Sequence, residues 1–75
     1  MQMPSLALRL LRRAEACQIL WGDLEADGPR YINAARFLVA QGLCVGVKKP
    51  RGIAITREGR LWLWRKHTVD AAPNL

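Results

Sequence analysis

Two short segments of alternating apolar residues limit the fold more than any other feature of the chain. In residues 43–47 and again in residues 53–56, apolar side chains alternate with small or polar ones, as they do in half-buried β-strands. The residues between them include Pro50 and Gly52, which favour a turn. The pattern therefore predicts a β-hairpin over residues 43–56 with a five-residue connection.

The predicted connection carries three cations and no acidic residue. They are Lys48, Lys49 and Arg51. Such side chains at a hairpin tip can contact phosphates or reach into a minor groove. Lysines at hairpin tips also keep strand edges from pairing with other chains, so both interpretations stay open.

A helix is predicted directly before the hairpin. The sequence Asp27-Gly28-Pro29 is typical of a turn, and proline suits the first turn of a helix because its missing N–H would be unpaired there. Gly42 is well placed to end the helix in the left-handed conformation. The helix is therefore predicted to run from Pro29 to Gln41.

A step of 100° per residue divides this helix into an apolar and a polar half. The apolar half is expected to face the core and contains Tyr31, Ile32, Ala34, Ala35, Leu38 and Val39. The polar half contains Arg30, Asn33, Arg36, Phe37, Ala40 and Gln41. It suits a major groove, because arginine can bond guanine, asparagine or glutamine can bond adenine, and an apolar group can touch the thymine methyl. The competing interpretation is a polar face that is merely solvated.

The N-terminal third of the chain has helical periodicity. A helix is predicted to begin near Ser5, which follows Pro4 and can cap it. Small or apolar residues at three-four spacing follow, namely Ala7, Leu10, Ala14, Cys17, Trp21 and Leu24. This stripe either packs on the domain's own core or forms a coiled-coil seam, which would give a homodimer through the N-terminal helix. A break near Gln18 or Gly22 would divide the segment into two helices.

The segment after the hairpin is predicted to form a short helix. Thr56 can cap this helix, and Leu61 and Trp64 then share a face, although the run Leu-Trp-Leu-Trp also alternates like a strand. The helix over residues 29–41 is expected to bring Ile32, Ala35, Leu38 and Val39 against Leu10, Leu11, Val45, Ile55 and Leu61 in one core.

The charge of the chain is unevenly distributed. Its 75 residues leave room for one domain, predicted over residues 1–69, with a disordered tail over residues 70–75. Twelve Lys and Arg against six Asp and Glu give a net charge of +6. Residues 30–69 hold nine of these cations and one acid, Glu58. This asymmetry favours a polyanionic partner, either nucleic acid or an anionic membrane surface.

Several classes of protein do not fit this sequence. The uncharged stretch of residues 37–47 is about half as long as a bilayer-spanning helix, and a secretory leader is not evident. We therefore expect a cytoplasmic protein with no membrane partner. Cys17 and Cys44 are expected to be small buried hydrophobes, and His67 has no second ligand at metal-binding spacing. Without a recognisable catalytic set, we expect no enzyme, no metal and no cofactor.

The order of helices, polar-faced helix and basic-tipped hairpin resembles a winged helix-turn-helix domain. The run LVAQGL at residues 38–43 is similar to the L-x-x-x-G-L that joins the recognition helix to the first wing strand. The run ITREGR at residues 55–60 is similar to the L-T-x-x-G-R after the second strand in regulators of the MarR and PadR kind. The resemblance covers Tyr31 to Arg60. Only residues 18–26 remain for a second helix, so that helix is either short or fused to the first.

This resemblance implies an α+β winged helix-turn-helix with two or three helices, a basic-tipped hairpin and a short C-terminal helix. It also implies a small DNA-binding protein, a transcriptional regulator, that reads double-stranded DNA with helix 29–41 and contacts phosphates with the hairpin. The residues expected to do so are Arg30, Asn33, Arg36, Phe37, Gln41, Lys48, Lys49 and Arg51. Because winged-helix folds also act as protein–protein interaction modules, for example in phage or plasmid proteins that bind host machinery, a protein partner is the alternative. RNA binding stays open as well.

Overall fold

The chain folds into helices packed on a three-stranded antiparallel sheet, an α+β arrangement. The computed structural model describes residues 3–71, with the side chains of residues 3–65. The helices are α1 (Ser5–Ala16), α2 (Trp21–Asp27), α3 (Pro29–Ala40) and α4 (Arg57–Ala71). The strands are β1 (Ile19–Leu20), β2 (Cys44–Lys48) and β3 (Arg51–Ile55), in the sheet order β1-β3-β2.

The predicted break in the N-terminal segment is confirmed, since α1 ends at Ala16 and α2 begins at Trp21. The strand between them was not predicted. It is only two residues long, which is too short to show an alternating pattern of apolar residues. It forms by pairing Ile19 with Ile53 and Leu20 with Gly52. The predicted helix start near Ser5 is confirmed, since α1 begins at Ser5, but Pro4 stands at the N-cap position and no side chain caps the helix.

One glycine joins α2 to α3, and another ends α3. Gly28 has a φ of 118° and caps both helices, so Pro29 is the first residue of α3, as predicted. Gly42 adopts the predicted left-handed conformation with a φ of 77°. Its N–H bonds the carbonyl of Val39 at 3.0 Å, and the next N–H, from Leu43, bonds the carbonyl of Leu38 at 2.9 Å. This pair of hydrogen bonds closes the helix and sends the chain into β2.

The hairpin is confirmed, but its connection is shorter than predicted. Strands β2 and β3 pair from Cys44 with Ile55 as far as Lys48 with Arg51. The turn therefore consists of Lys49 and Pro50, joined by a cis peptide bond. The five-residue estimate counted only the alternating apolar residues as strand, whereas backbone pairing continues beneath charged side chains.

Thr56 caps α4, as predicted. Its Oγ1 accepts a hydrogen bond from the N–H of Gly59 at 3.1 Å. The helix is longer than the short one expected, because neither glycine nor proline follows Gly59 before Ala71. It includes Asp70 and Ala71, and the rest of the predicted tail, residues 72–75, lies outside the described residues.

The core lies between the sheet and the helices α1, α2, α3 and α4. It buries Ala7, Leu10, Leu11, Ala14, Ile19, Leu24, Ala34, Ala35, Leu38, Leu43, Cys44, Ile53 and Leu63. The apolar stripe of α1 is therefore used inside the domain.

Four expectations for individual residues are corrected. Val45 is 49% exposed, because the register places Cys44 beside Ile55 on the inner face and turns Val45 outward, which is the effect of a one-residue slip. Val39 is 40% exposed, since α3 is rotated as described below. Cys17 is also exposed, because it is extended and the helical spacing that predicted its burial ends at Ala16.

The fourth correction concerns α4. Its buried side chain is Leu63, while Trp64 is 65% exposed and Leu61 is half-buried. The side of α4 that faces the core is set by Gly59, whose position lies against the backbone of Leu43. Residue 63 stands one helical turn beyond Gly59 and therefore points inward as well.

No helix within residues 3–71 combines the length and the apolar character needed to cross a membrane.

Candidate nucleic-acid interface

The exposed side of α3 carries the polar residues that the sequence singles out. Arg30, Asn33, Arg36 and the C-cap residue Gln41 are all exposed. The opposite side is buried against α1, α2 and β2. Three-residue spacing brings Asn33 and Arg36 onto neighbouring positions of one face, so both side chains can enter a groove together.

Phe37 does not belong to this polar face, which corrects the sequence prediction. Its side chain is half-buried and packs against the core, whereas Val39 is exposed. The buried side of α3 is therefore turned toward Phe37 by roughly 40° from the predicted wheel. The wheel weighted all apolar residues alike, but an aromatic ring gains more from burial than a valine. Val39, next to Arg36 at three-residue spacing, supplies the apolar group of the exposed face.

The cations of the hairpin are exposed and concentrated at its end. Lys48 and Arg51 are directly opposite each other in the ladder, and Lys49 follows in the turn. Like charges in a cross-strand pair destabilise a sheet. Within residues 3–65, no acidic side chain forms an ion pair with any of the three. The end of the hairpin therefore holds positive charge that an anionic partner would neutralise.

Arg51 has a second neighbour that sequence reasoning missed. Its Cζ atom lies 5.1 Å from the centre of the Trp21 ring, which is a cation–π contact. Nearby, the side-chain Nε2 of Gln18 donates a hydrogen bond to the carbonyl oxygen of Pro50 at 3.1 Å. Thirty or more residues separate these partners in sequence, so no local pattern could have indicated the contacts.

A further cation lies near the C-terminal end of α3. Thr56 donates its hydroxyl hydrogen to the carbonyl oxygen of Gly42 at 2.7 Å, which ties the start of α4 to the end of α3. Arg57 follows directly and is exposed. Arg57 is not among the residues that the sequence predicts for the site, because the contact that brings the start of α4 beside the end of α3 joins residues 14 apart in the chain.

In the N-terminal part of the chain, positive charge on α1 is paired with acidic residues of α2. The Arg13 guanidinium lies 3.6 Å from a carboxylate oxygen of Asp27 and 4.0 Å from one of Asp23. Both pairs are exposed and contribute little stability. They join α1 to α2 and cancel positive charge there, so the excess positive charge belongs to α3, the hairpin and α4.

The described residues also bear on other kinds of site. Across residues 3–65, no three His, Cys, Asp or Glu side chains come together in a way that would hold a metal ion. Burial raises the pKa of the Cys44 thiol to about 11, so this thiol is protonated at neutral pH and is a poor nucleophile.

The geometry therefore offers a helix with an exposed polar face, followed by a hairpin that carries cations at its end without acidic partners among the described residues. A helix of this kind fits a major groove, and lysines at a turn fit phosphates.

A comparison of the chain with protein-family models, with curated proteins and with solved structures finds no match.

Proposed function

We propose that this chain is a small winged helix-turn-helix protein that binds double-stranded DNA and acts in transcriptional regulation. In this proposal α3 enters the major groove, where Asn33 and Arg36 meet base edges. The turn of the hairpin contacts the adjacent phosphates through Lys48 and Lys49.

The observation that carries the proposal is the cross-strand pair of Lys48 and Arg51. Folding brings these two like charges together at the end of an exposed hairpin, without a described acid beside them. Such a pair costs stability in the free protein. A phosphate backbone removes that cost, because it supplies closely spaced negative charge and releases its counterions on binding.

The order of the elements supports the same proposal. Helices α2 and α3 follow each other with only Gly28 between them, and the hairpin β2–β3 comes directly after α3. This is the order of a helix-turn-helix with a wing. Helix α2 is short and separate from α1, which fits the second helix of this order. A direct binding test decides whether this order of elements carries DNA binding.

That test measures binding of the full chain to a fluorescent duplex of random sequence at several salt concentrations. For wild type we expect affinity that falls steeply with salt. The double variant Lys48→Ala/Lys49→Ala should flatten the plot of log affinity against log salt by about 2. The matched control Arg9→Ala/Arg12→Ala removes the same charge from exposed positions on α1 and should leave the slope nearly unchanged. Equal effects of the two double variants would contradict the proposed interface.

A protein-interaction module is the second candidate, and one observation favours it. Leu20 is 41% exposed and Val45 is 49% exposed, and the register places both on the outer face of the sheet, opposite the buried Ile19 and Ile53. An uncharged sheet face suits a protein partner better than DNA. Under this alternative wild type would show no salt-dependent DNA binding, and Val45→Ser would weaken the association with the partner.

A further inference from the structure

The turn of the hairpin is held from the side by the segment that leads from α1 into α2. The Gln18 amide bonds the carbonyl oxygen of Pro50 at 3.1 Å, and the Arg51 guanidinium lies over the Trp21 ring at 5.1 Å. Between Gln18 and Trp21, strand β1 pairs with β3. A hydrogen bond, a cation–π contact and a short ladder thus join the turn to one segment of four residues.

The approach of β1 to β3 depends on a glycine in β3. A Cβ atom at Gly52 would collide with the carbonyl oxygen of Ile19. Any side chain at this position would therefore push β1 away, and Gln18 and Trp21 would move with it. The close fit indicates that the turn and this segment form one unit.

The same segment is attached to α3. Trp21 is the first residue of α2, and α2 packs directly against α3. The strands of the hairpin are also held by the core, since β2 packs on α3, but the contacts of Gln18 and Trp21 act at the turn end of the hairpin. They therefore restrain the turn relative to the polar side of α3.

These contacts divide the three hairpin cations into two kinds. Lys48 and Lys49 are exposed, and no hydrogen bond or ion pair within the described residues engages their ammonium groups. Arg51 is already engaged by an aromatic ring. A planar, weakly hydrated guanidinium suits that position better than an ammonium group does.

We propose that Gln18, Trp21 and Arg51 are positioning residues that hold the turn for a DNA backbone, while Lys48 and Lys49 make the phosphate contacts. This inference rests on the proposed DNA binding and deepens it. A turn already held in place loses less conformational freedom when it binds. The contacts of Gln18, Trp21 and Arg51 therefore raise the affinity for DNA without touching it.

Salt dependence separates a positioning role from a phosphate contact. With the random duplex as probe, Lys48→Ala and Lys49→Ala should each lower the slope by about 1. Gln18→Ala and Arg51→Ala should weaken binding about 3- to 10-fold at every salt concentration and leave the slope unchanged. Gln18 and Arg51 are both exposed, so neither variant is expected to unfold the chain. Arg12→Ala, an exposed cation on α1, is the matched control for the loss of charge at Arg51.

Amide hydrogen exchange in the DNA-free protein gives a readout that does not depend on the ligand. Exchange of the Arg51 and Gly52 amides, at the turn end of β3, should become faster in Gln18→Ala and Arg51→Ala, and should stay as in wild type in Lys48→Ala. If Arg51→Ala lowers the slope as much as the lysine variants do, Arg51 contacts phosphate and this inference is overturned while DNA binding stands. Unchanged exchange in both positioning variants also overturns it. If wild type does not bind the duplex at all, the proposed function fails and this inference fails with it.

Discussion

The hydroxyl of Thr56 donates a hydrogen bond of 2.7 Å to the carbonyl oxygen of Gly42 and so joins the end of β3 to the end of α3. The Oγ1 atom of Thr56 also accepts a hydrogen bond from the N–H of Gly59. The Thr56 side chain thus pairs with the carbonyl group of Gly42, the left-handed residue that ends α3. It also caps α4. Thr56 therefore joins the end of α3 to the start of α4, the two ends of the segment that contains the hairpin.

We therefore expect Thr56→Val, which keeps the shape and removes the hydroxyl, to lower the free energy of unfolding by about 1–2 kcal/mol. Urea denaturation followed by circular dichroism measures this change. Thr56→Ser keeps the hydroxyl and is the control, with a much smaller loss expected. Equal losses in the two variants would mean that the methyl group, and not the hydrogen bonds, carries the effect.

Gly52 and Gly46 make a matched pair in the sheet. A Cβ atom at Gly52 would collide with the carbonyl oxygen of Ile19, whereas a Cβ atom at Gly46 would meet nothing within 4 Å. We expect Gly52→Ala to cost about 1–3 kcal/mol, because β1 must move away. Gly46→Ala should stay within about 0.5 kcal/mol of wild type. Thermal unfolding compares the two, and a tolerated Gly52→Ala would show that β1 is not tightly packed on β3.

Phe37 and Val39 exchange the roles that helical periodicity assigned to them. Phe37 packs against the core and Val39 is exposed beside Arg36. Phe37→Ala should therefore destabilise the fold, by about 2–4 kcal/mol for a partly buried aromatic ring. Val39→Ala should leave stability nearly unchanged and weaken binding to a preferred DNA site. Urea denaturation and DNA titration on both variants test this pair, and a stable Phe37→Ala variant would restore the periodicity-based orientation of α3.

Asn33 and Arg36 are the residues that we expect to read bases. A preferred duplex selected from a random pool serves as the specific site, and unselected duplex serves as the reference. Replacing either residue with alanine should cost about 1–3 kcal/mol on the selected site and much less on the reference. Glu25→Ala, at an exposed position on α2, should change neither affinity. Equal losses on both duplexes would make Asn33 and Arg36 backbone contacts.

The two cysteines should differ in their chemistry. Cys44 is buried and its pKa is raised from 9.0 to about 11, so the folded state holds the proton longer than the unfolded state does. Stability from this residue is therefore present below pH 9 and is lost as the pH rises toward 11. Denaturation at several pH values measures the decline, and Cys44→Ala should remove that part of it.

In a thiol-labelling experiment on the native protein, the exposed Cys17 should react well before Cys44.

Features that depend on near neighbours in the chain can be predicted from the sequence. Pro29 begins α3 because its ring suits a first helical position, and Gly42 ends α3 because only glycine adopts the left-handed conformation without strain. Thr56 caps α4 through an atom three residues away. The hairpin follows from alternation over a few residues. Each of these follows from backbone geometry or from a contact within a few residues, which the sequence displays directly.

Features that depend on distant partners arise from tertiary packing. Strand β1 exists because β3 lies beside it, and the contact of Arg51 with Trp21 joins residues on two separate elements. The orientation of α3 is set by packing on α1, α2 and β2 together, which favours burial of the larger Phe37 over Val39. Likewise Val45 faces outward because β3 fixes the register of β2. The face that a helix or strand buries depends on all the elements that pack against it. The pattern along one element contains no information about the others.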